Sequence, residues 1–420
     1  MARMLVAVFP PHSKPACIHD RTIRTHCRAA PAGPVGPGMN DATPHIVLAP
    51  DSYKGSASAL DIAHALAEGL QTVCPHARLT LAPMADGGEG TLDCLAAGRQ
   101  VRWQTTPIVA IHGQRIEAAW FRDHADIAVI ESATVLGLPL IEARDDAPRL
   151  QARGSHALGE LIAAALDSGV RDFIIGLGGS ACNDAGLGML CALGARALDV
   201  HGDTVAPTMD GLLAMDRIDL TAMDTRLQHS RIRVLCDVDN PLLGPTGASR
   251  VYGPQKGLSE ADIQAVEAAF SRLANSAAPD SLAGERGSGA AGGLGFALAL
   301  TGGELCSGAN TLLDMTGLRQ TLGEADLVIT GEGRSDTQTL SGKLPLAIAQ
   351  AAGHTPTVLL SGTITDEARA ELGSYFARCY TLVERAGSVA AALADPLHWV
   401  RRTAADIGTG LASLIDTPQR

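Results

Sequence analysis

The residues able to do chemistry in this chain sit in loops that also carry glycine. Asp51-Ser52-Tyr53-Lys54-Gly55-Ser56 offers an amine, hydroxyls and an adjoining helix N-terminus, a combination suited to phosphate or carboxylate. Asp86-Gly87-Gly88-Glu89-Gly90-Thr91 puts two carboxylates on one turn. Gly178-Gly179-Ser180-Ala181-Cys182-Asn183-Asp184 offers backbone N–H groups, an amide and a carboxylate. Asp237 and Asp239 flank one position at a strand end, and Pro254-Gln255-Lys256-Gly257 supplies a second amine. Gly289-Ala290-Ala291-Gly292-Gly293-Leu294-Gly295 lets a backbone come close to a ligand. Glu332, Arg334 and Asp336 bracket another glycine turn, with Lys343 opening the next helix. Lysines and N–H groups for phosphate oxygens, carboxylates for a divalent cation, and one carboxylate for a hydroxyl proton are what phosphoryl transfer from a metal nucleotide requires. One such loop is equally well a capped helix end. Their recurrence favours a shared site.

The elements that position these loops alternate. Short β-type runs at His45–Ala49, Leu79–Pro83, Phe173–Ile175, Arg231–Asp237, Asp326–Ile329, Thr357–Leu360 and Tyr380–Val383 lead into them. Helical spacing follows at Ser58–Leu70, with Ser58 as N-cap and Asp61 three residues on. Further helices are expected near 91–97, 158–168, 185–193, 260–277, 292–300, 343–352, 366–372 and 388–413, and 101–131 reads as a meander. Gly284–Gly289 reads as a flexible link. Strands alternating with helices indicate an α/β fold with largely parallel sheets. In such sheets ligands bind beyond the carboxyl ends of strands, where these loops lie.

Composition narrows the field. The formal net charge of −12 disfavours nucleic acid and anionic membrane as partners. No stretch of about 18 apolar residues is present to span a membrane. The nine cysteines are scattered without a C-x-x-C pair, which argues against a disulfide framework or zinc site and for a cytoplasmic location. Residues 1–38 carry five basic residues against one acid and are rich in proline; Met39 is the expected start, with 1–44 a disordered or non-native extension.

Two stretches approach nucleotide-binding motifs. Gly342-Lys343-Leu344 lacks both the first glycine and the hydroxyl of a P-loop. Gly176-x-Gly178-x-x-Ala181 follows a strand, and Asp199 lies about 20 residues on, the dinucleotide pattern. It keeps an NAD(P)-dependent oxidoreductase of a small hydroxy acid as the alternative, although Asn183 and Asp184 crowd the helix start.

Taken in order, Ala49–Ser56, Ala85–Thr91, Leu177–Gly188, Cys236–Gly247, Tyr252–Gly257, Gly289–Gly295 and Thr330–Lys343 resemble the bacterial-type glycerate kinases, a family unrelated to P-loop kinases. The departures are Cys182 and Ala185, where threonine and glycine are common. The resemblance implies two α/β domains, one flavodoxin- or Rossmann-like and discontinuous (45–83 plus 288–420), the other inserted (84–287), with the site in the cleft between them. It implies ATP- and Mg²⁺-dependent phosphorylation of D-glycerate to 2-phosphoglycerate, or alternatively 3-phosphoglycerate, in glyoxylate-linked metabolism, by a monomer or homodimer.

Placed on that reaction, Lys54 and the N–H groups of Gly178, Gly179 and Ser180 are expected to take the glycerate carboxylate, with Ser52 and Asn183 on its hydroxyls. Asp184 is expected to be the base. Lys256, Arg334, Lys343, Glu332, Gly292 and Gly293 are expected around the nucleotide. Mg²⁺ is expected on Asp237 and Asp239, with Glu332 and Asp336, or Asp86 and Glu89, as the other candidates.

Overall fold

The computed structural model describes residues 43–97, 99–142, 144–277 and 281–416. The expectations for Met39 and the segment before it lie outside the described residues. In chain order the strands are β1 (His45–Pro50), β2 (Arg78–Leu81), β3 (Arg102–Val109), β4 (Arg115–Arg122), β5 (Ile127–Glu131), β6 (Asp172–Gly176), β7 (Arg196–Leu198) and β8 (Arg217–Asp219). They continue with β9 (Arg231–Leu235), β10 (Glu304–Cys306), β11 (Leu327–Gly331), β12 (Arg334–Ser335), β13 (Thr357–Ser361), β14 (Thr363–Ile364) and β15 (Arg378–Thr381).

One sheet has the order β15-β13-β11-β1-β2 and is parallel throughout. Counted within its own strands this is the flavodoxin-like order, whose ligand crevice lies where the strand order reverses, between β1 and β11. The second sheet has the order β10-β9-β6-β5-β4-β3; its first four strands run parallel and the β3–β4–β5 meander antiparallel. The sheet assignment moves the expected boundary at 287/288. The helix Ala290–Leu300 packs on β9, and β10 joins the second sheet, so that lobe extends to Cys306.

Period-two alternation explains why β1 is apolar at every position. Ile46 and Leu48 face a core shared with the helices Ala59–Val73 and Pro396–Thr409. Val47 and Ala49 face the other way, into a layer of helices sandwiched between the sheets. There Leu92, Leu95, Leu312, Leu313 and Ile348 meet Phe121, Val129, Ile174 and Leu235 of the second sheet. A fully buried side chain of this size contributes roughly 1.5–3 kcal/mol, so this middle layer holds the two lobes in register. The chain crosses between lobes near 82–91 and again near 306–308, and the crossings touch. A Cβ on Gly308 would stand 2.1 Å from the Asp86 carbonyl oxygen, so only glycine fits there. Gly284–Gly289 is no flexible link: Ser288 is fully buried and bonds Ala283, Glu285 and Leu242.

Candidate active site

The carboxyl ends of β1 and β11 open into a cleft of about 540 Å³. From β1 the chain enters Asp51, whose N–H continues the sheet by donating to the Gly331 carbonyl at 2.8 Å. Tyr53 donates its hydroxyl to the Leu360 carbonyl at 2.7 Å, pinning the loop to β13. The turn back through Gly55 leaves Lys54 reaching across the cleft to Asp86, Nζ to Oδ2 at 3.6 Å. Asp86 is held by the Gly88 N–H, which donates to its Oδ1 at 2.9 Å. From β11 comes Glu332, buried, its Oε1 accepting from Ser335 Oγ at 2.8 Å and Thr339 Oγ1 at 2.7 Å. Arg334, Asp336, Gln338 and Lys343 form the rim, and Gln255 reaches in from the second lobe.

The electrostatics are those of a cation site. Burial pushes the Asp51 carboxyl well above its ordinary range, and the neighbouring Asp86 adds to this while Lys54 opposes it. Burial likewise raises Glu332. The Asp86 carboxylate, more than any other cause, raises the Lys54 ammonium. Several hard oxygen donors thus share one lysine, and Ser52 Oγ is buried without a protein partner. Among the described residues no three His, Cys, Asp or Glu side chains stand close enough to form a complete metal cage. Mg²⁺ does not need one, since it is commonly held by one or two carboxylates together with substrate phosphates. The donor chemistry at Asp51 and Glu332, with Asp86 beside them paired to Lys54, fits that ion.

Of the residues expected from sequence, Ser52, Lys54, Asp86, Glu332, Arg334, Asp336 and Lys343 line this cleft. Others do not. Asp184 is fully buried; its Oδ2 accepts from Ser155 N and Oγ, each at 2.8 Å, and from Gly188 N at 3.0 Å. Its Oδ1 accepts from Gly186 N at 3.2 Å. It ties together two helix starts and has no free face for a substrate proton, which corrects its expected role as base. Lys256 is also buried, donating to Ser180 Oγ at 3.0 Å and the Cys182 carbonyl at 2.7 Å. It braces the 178–184 loop, and burial lowers its pKa. Gly292 and Gly293 pack against that loop and the residue after it: a Cβ on Gly292 would stand 2.4 Å from the Cys182 carbonyl oxygen, and one on Gly293 2.6 Å from Ala185 Cα. Asn183, fully buried, donates from Nδ2 to Ser249 Oγ at 3.1 Å. Gly178 backs directly onto Gly88, leaving Gly179 at the exposed edge.

The expected Mg²⁺ pair separates. Asp239 is exposed and pairs with Arg286 at 2.5 Å. Asp237 accepts from Ser307 Oγ, Gly308 N and Ala309 N, capping the helix Gly308–Thr316. The dinucleotide pattern is filled by the chain itself, because Asp184 occupies the helix N-terminus that a pyrophosphate would need. Cys182 is buried and its thiol is pushed up to about 12 by burial, which makes it a packed side chain and no reactive thiol.

Sequence reasoning left Asp51 and Gln255 without a role, although both stand in the quoted loops. It missed Glu131 altogether. That carboxylate ends β5 and accepts from Gly90 N at 3.2 Å and Leu92 N at 3.0 Å, supporting the Asp86 loop from behind. The signal available was its position, a charged residue closing a buried strand.

Asp237 carries a pH-dependent prediction. Burial, then repulsion from Asp86, lifts its carboxyl to about 7. A carboxyl raised on folding binds its proton more tightly in the folded chain, so its stabilising contribution is full below the unfolded value near 3.8 and fades as pH rises to about 7. Asp237→Asn therefore flattens the fall in melting temperature across that interval; an unchanged slope in pH-dependent calorimetry rules the coupling out.

Comparisons with known proteins converge. Residues 46–412 match the Glycerate kinase family. The chain is 41% identical over 333 residues to a protein of Escherichia coli (strain K12) named glycerate 2-kinase, covering 77% of this chain and 86% of that one. It is 36% identical over 373 residues to a glycerate kinase of Bacillus subtilis (strain 168), covering 87% and 97%. A crystal structure from Salmonella typhimurium LT2 bearing the name glycerate kinase 2 superposes with a TM-score of 0.71 at 36% identity, covering 89% of this chain and 99% of that one. On its fold, its matched length and these relatives, this chain is a kinase and belongs to the glycerate kinase family.

Proposed function

We propose that the chain transfers the γ-phosphoryl group of ATP to the 2-hydroxyl of D-glycerate, giving 2-phosphoglycerate and ADP, in the cleft at the ends of β1 and β11. The observation that carries this reading is the cluster of Asp51, Asp86 and Glu332 around Lys54 at the reversal of strand order. The name of the Escherichia coli relative favours the 2-hydroxyl over the 3-hydroxyl.

Lys54, nearly two-thirds exposed at its side chain, is free to meet the glycerate carboxylate while staying within reach of Asp86. Asp86 is the carboxylate beside Lys54, and its side chain is partly exposed to the cleft. It accepts the hydroxyl proton as that oxygen bonds to the γ-phosphorus and the bond from phosphorus to the ADP oxygen breaks. Arg334 and Lys343 meet the phosphate oxygens from the rim. Asp51 and Glu332 are the donors that would hold Mg²⁺, which when bound offsets the charge of the phosphates.

We also assign the protein to the cytoplasm. The seven described cysteines are all free, as suits a reducing compartment, and no helix among the described residues is long and apolar enough to cross a membrane.

The test is a coupled assay of ADP release with D-glycerate, with and without Mg²⁺. Release that requires both supports the reading. NADH oxidation by hydroxypyruvate without ADP release would replace it with the oxidoreductase.

A further inference from the structure

The cleft has two unlike sides. Its floor is ionic, but the wall opposite is built from Val383, Val389, Ala392, Leu393 and Pro396. Val389 and Leu393 are 53% and 61% exposed, although both are large and aliphatic. They stand one helical turn apart on Val389–Ala394, so they present one apolar face.

That face is not an accident of a loose helix. Ser388 caps it, accepting from Ala391 N at 3.1 Å, and Trp399 Nε1 donates to the Ala391 carbonyl at 3.2 Å. Ala392, between them in sequence, is buried and belongs to the core under the first sheet, which anchors the helix. The charged side chains of the same segment are all engaged elsewhere. Glu384 pairs with Arg369 at 2.6 Å, and Arg385 with Asp406 at 2.8 Å. Asp395 caps the following helix by accepting from His398 N at 3.1 Å. What remains toward the cleft is an uncharged apolar surface lining the same cavity as Arg334 and Lys343.

We propose that this wall is the seat of the nucleotide's adenine ring, with one face of the ring laid on Val389 and Leu393. The inference rests on the ATP reading above and names the base-binding half of that site. A volume of about 540 Å³ is far more than a three-carbon acid needs. The flat aromatic face of an uncharged base is the part of ATP that gains by leaving water for such a surface, its polar edge staying toward solvent, while the phosphates stay on the ionic floor.

The experiment compares wild type, Val389→Ala/Leu393→Ala and Leu393→Asp, with Val200→Ala as a control at a 72% exposed valine outside the cleft. MgATP binding is read by calorimetry and turnover by ADP release. The wall variants are expected to weaken MgATP binding and raise the KM for ATP about tenfold or more, most for Leu393→Asp, while the KM for D-glycerate holds and Val200→Ala matches wild type. Equal losses for ATP and glycerate would mean that the wall acts through the shape of the floor, and would overturn the proposal. So would unchanged ATP affinity, including the case where only the sedimentation behaviour changes and the face is an interface between copies. Failure of the wild type to release ADP, with ATP binding still dependent on the wall, would overturn the kinase reading and leave the base site standing.

Discussion

Asp86→Asn is expected to lower kcat by about 10²–10⁴-fold, the usual contribution of a positioned proton acceptor, while the protein melts within a few degrees of wild type. The side chain is only partly buried, and an asparagine oxygen can still accept from Gly88 N, so the loop keeps its main local bond. What disappears is the anion. Lys54 then loses its nearest partner and the largest cause of its raised pKa. The carboxylate that takes the hydroxyl proton is gone as well. Steady-state kinetics beside calorimetry separate the two effects, and a kcat within a few-fold of wild type would remove Asp86 from the chemistry.

Asp184→Ala is expected to behave in the opposite way, as a loss of stability. Four donors converge on this buried carboxylate: Ser155 N, Ser155 Oγ, Gly186 N and Gly188 N. A buried donor left without its partner costs roughly 1–3 kcal/mol, and such costs do not simply add. A total of about 4 kcal/mol or more is a large share of the roughly 5–15 kcal/mol by which domains are stable. The melting temperature should fall by on the order of 10 °C. Asp184→Asn keeps an acceptor oxygen, so it should retain part of the stability and, at low temperature, turn over within a few-fold of wild type. A variant that melts like wild type yet has lost kcat would return Asp184 to the active site.

These two aspartates show where sequence reading stopped. Both follow an apolar strand and both sit among glycines, so residue type and spacing rank them equally. They are separated by where neighbouring N–H groups point. Around Asp184 two helix starts aim four donors at one side chain, whereas Asp86 receives a single backbone donor and keeps an open side toward Lys54. Lys256 misled for the same reason: a lysine in a glycine loop suits phosphate, yet tertiary packing closed the 178–184 loop over it.

Local patterns served better for the elements. The helix Glu260–Ala277 and the Ser58 cap follow from spacing and capping chemistry alone, and both are present. The helix Gly308–Thr316 escaped notice because glycine opens it and Asp237, far off in sequence, supplies part of its cap. The run 388–413 reads as one helix but is divided at Asp395-Pro396 and again near Gly410. That division turns Val389 and Leu393 toward the cleft, and no short motif marks it. Ala291 adopts a left-handed φ of 53° and the next two residues, Gly292 and Gly293, are left-handed as well, a kink accounted for by the packing of the two glycines against the neighbouring loop.

The central claim is that phosphoryl transfer takes place where β1 and β11 end, on Asp51, Asp86, Glu332 and Lys54. The measurement closest to it is a crystal structure with Mg²⁺, a non-hydrolysable ATP analogue and D-glycerate. Glycerate is expected with its carboxylate near Lys54, its 2-hydroxyl within hydrogen-bond distance of Asp86, and the γ-phosphate between that hydroxyl and the Arg334–Lys343 rim. Glycerate found against Asp184 and Lys256 within the second lobe would contradict it.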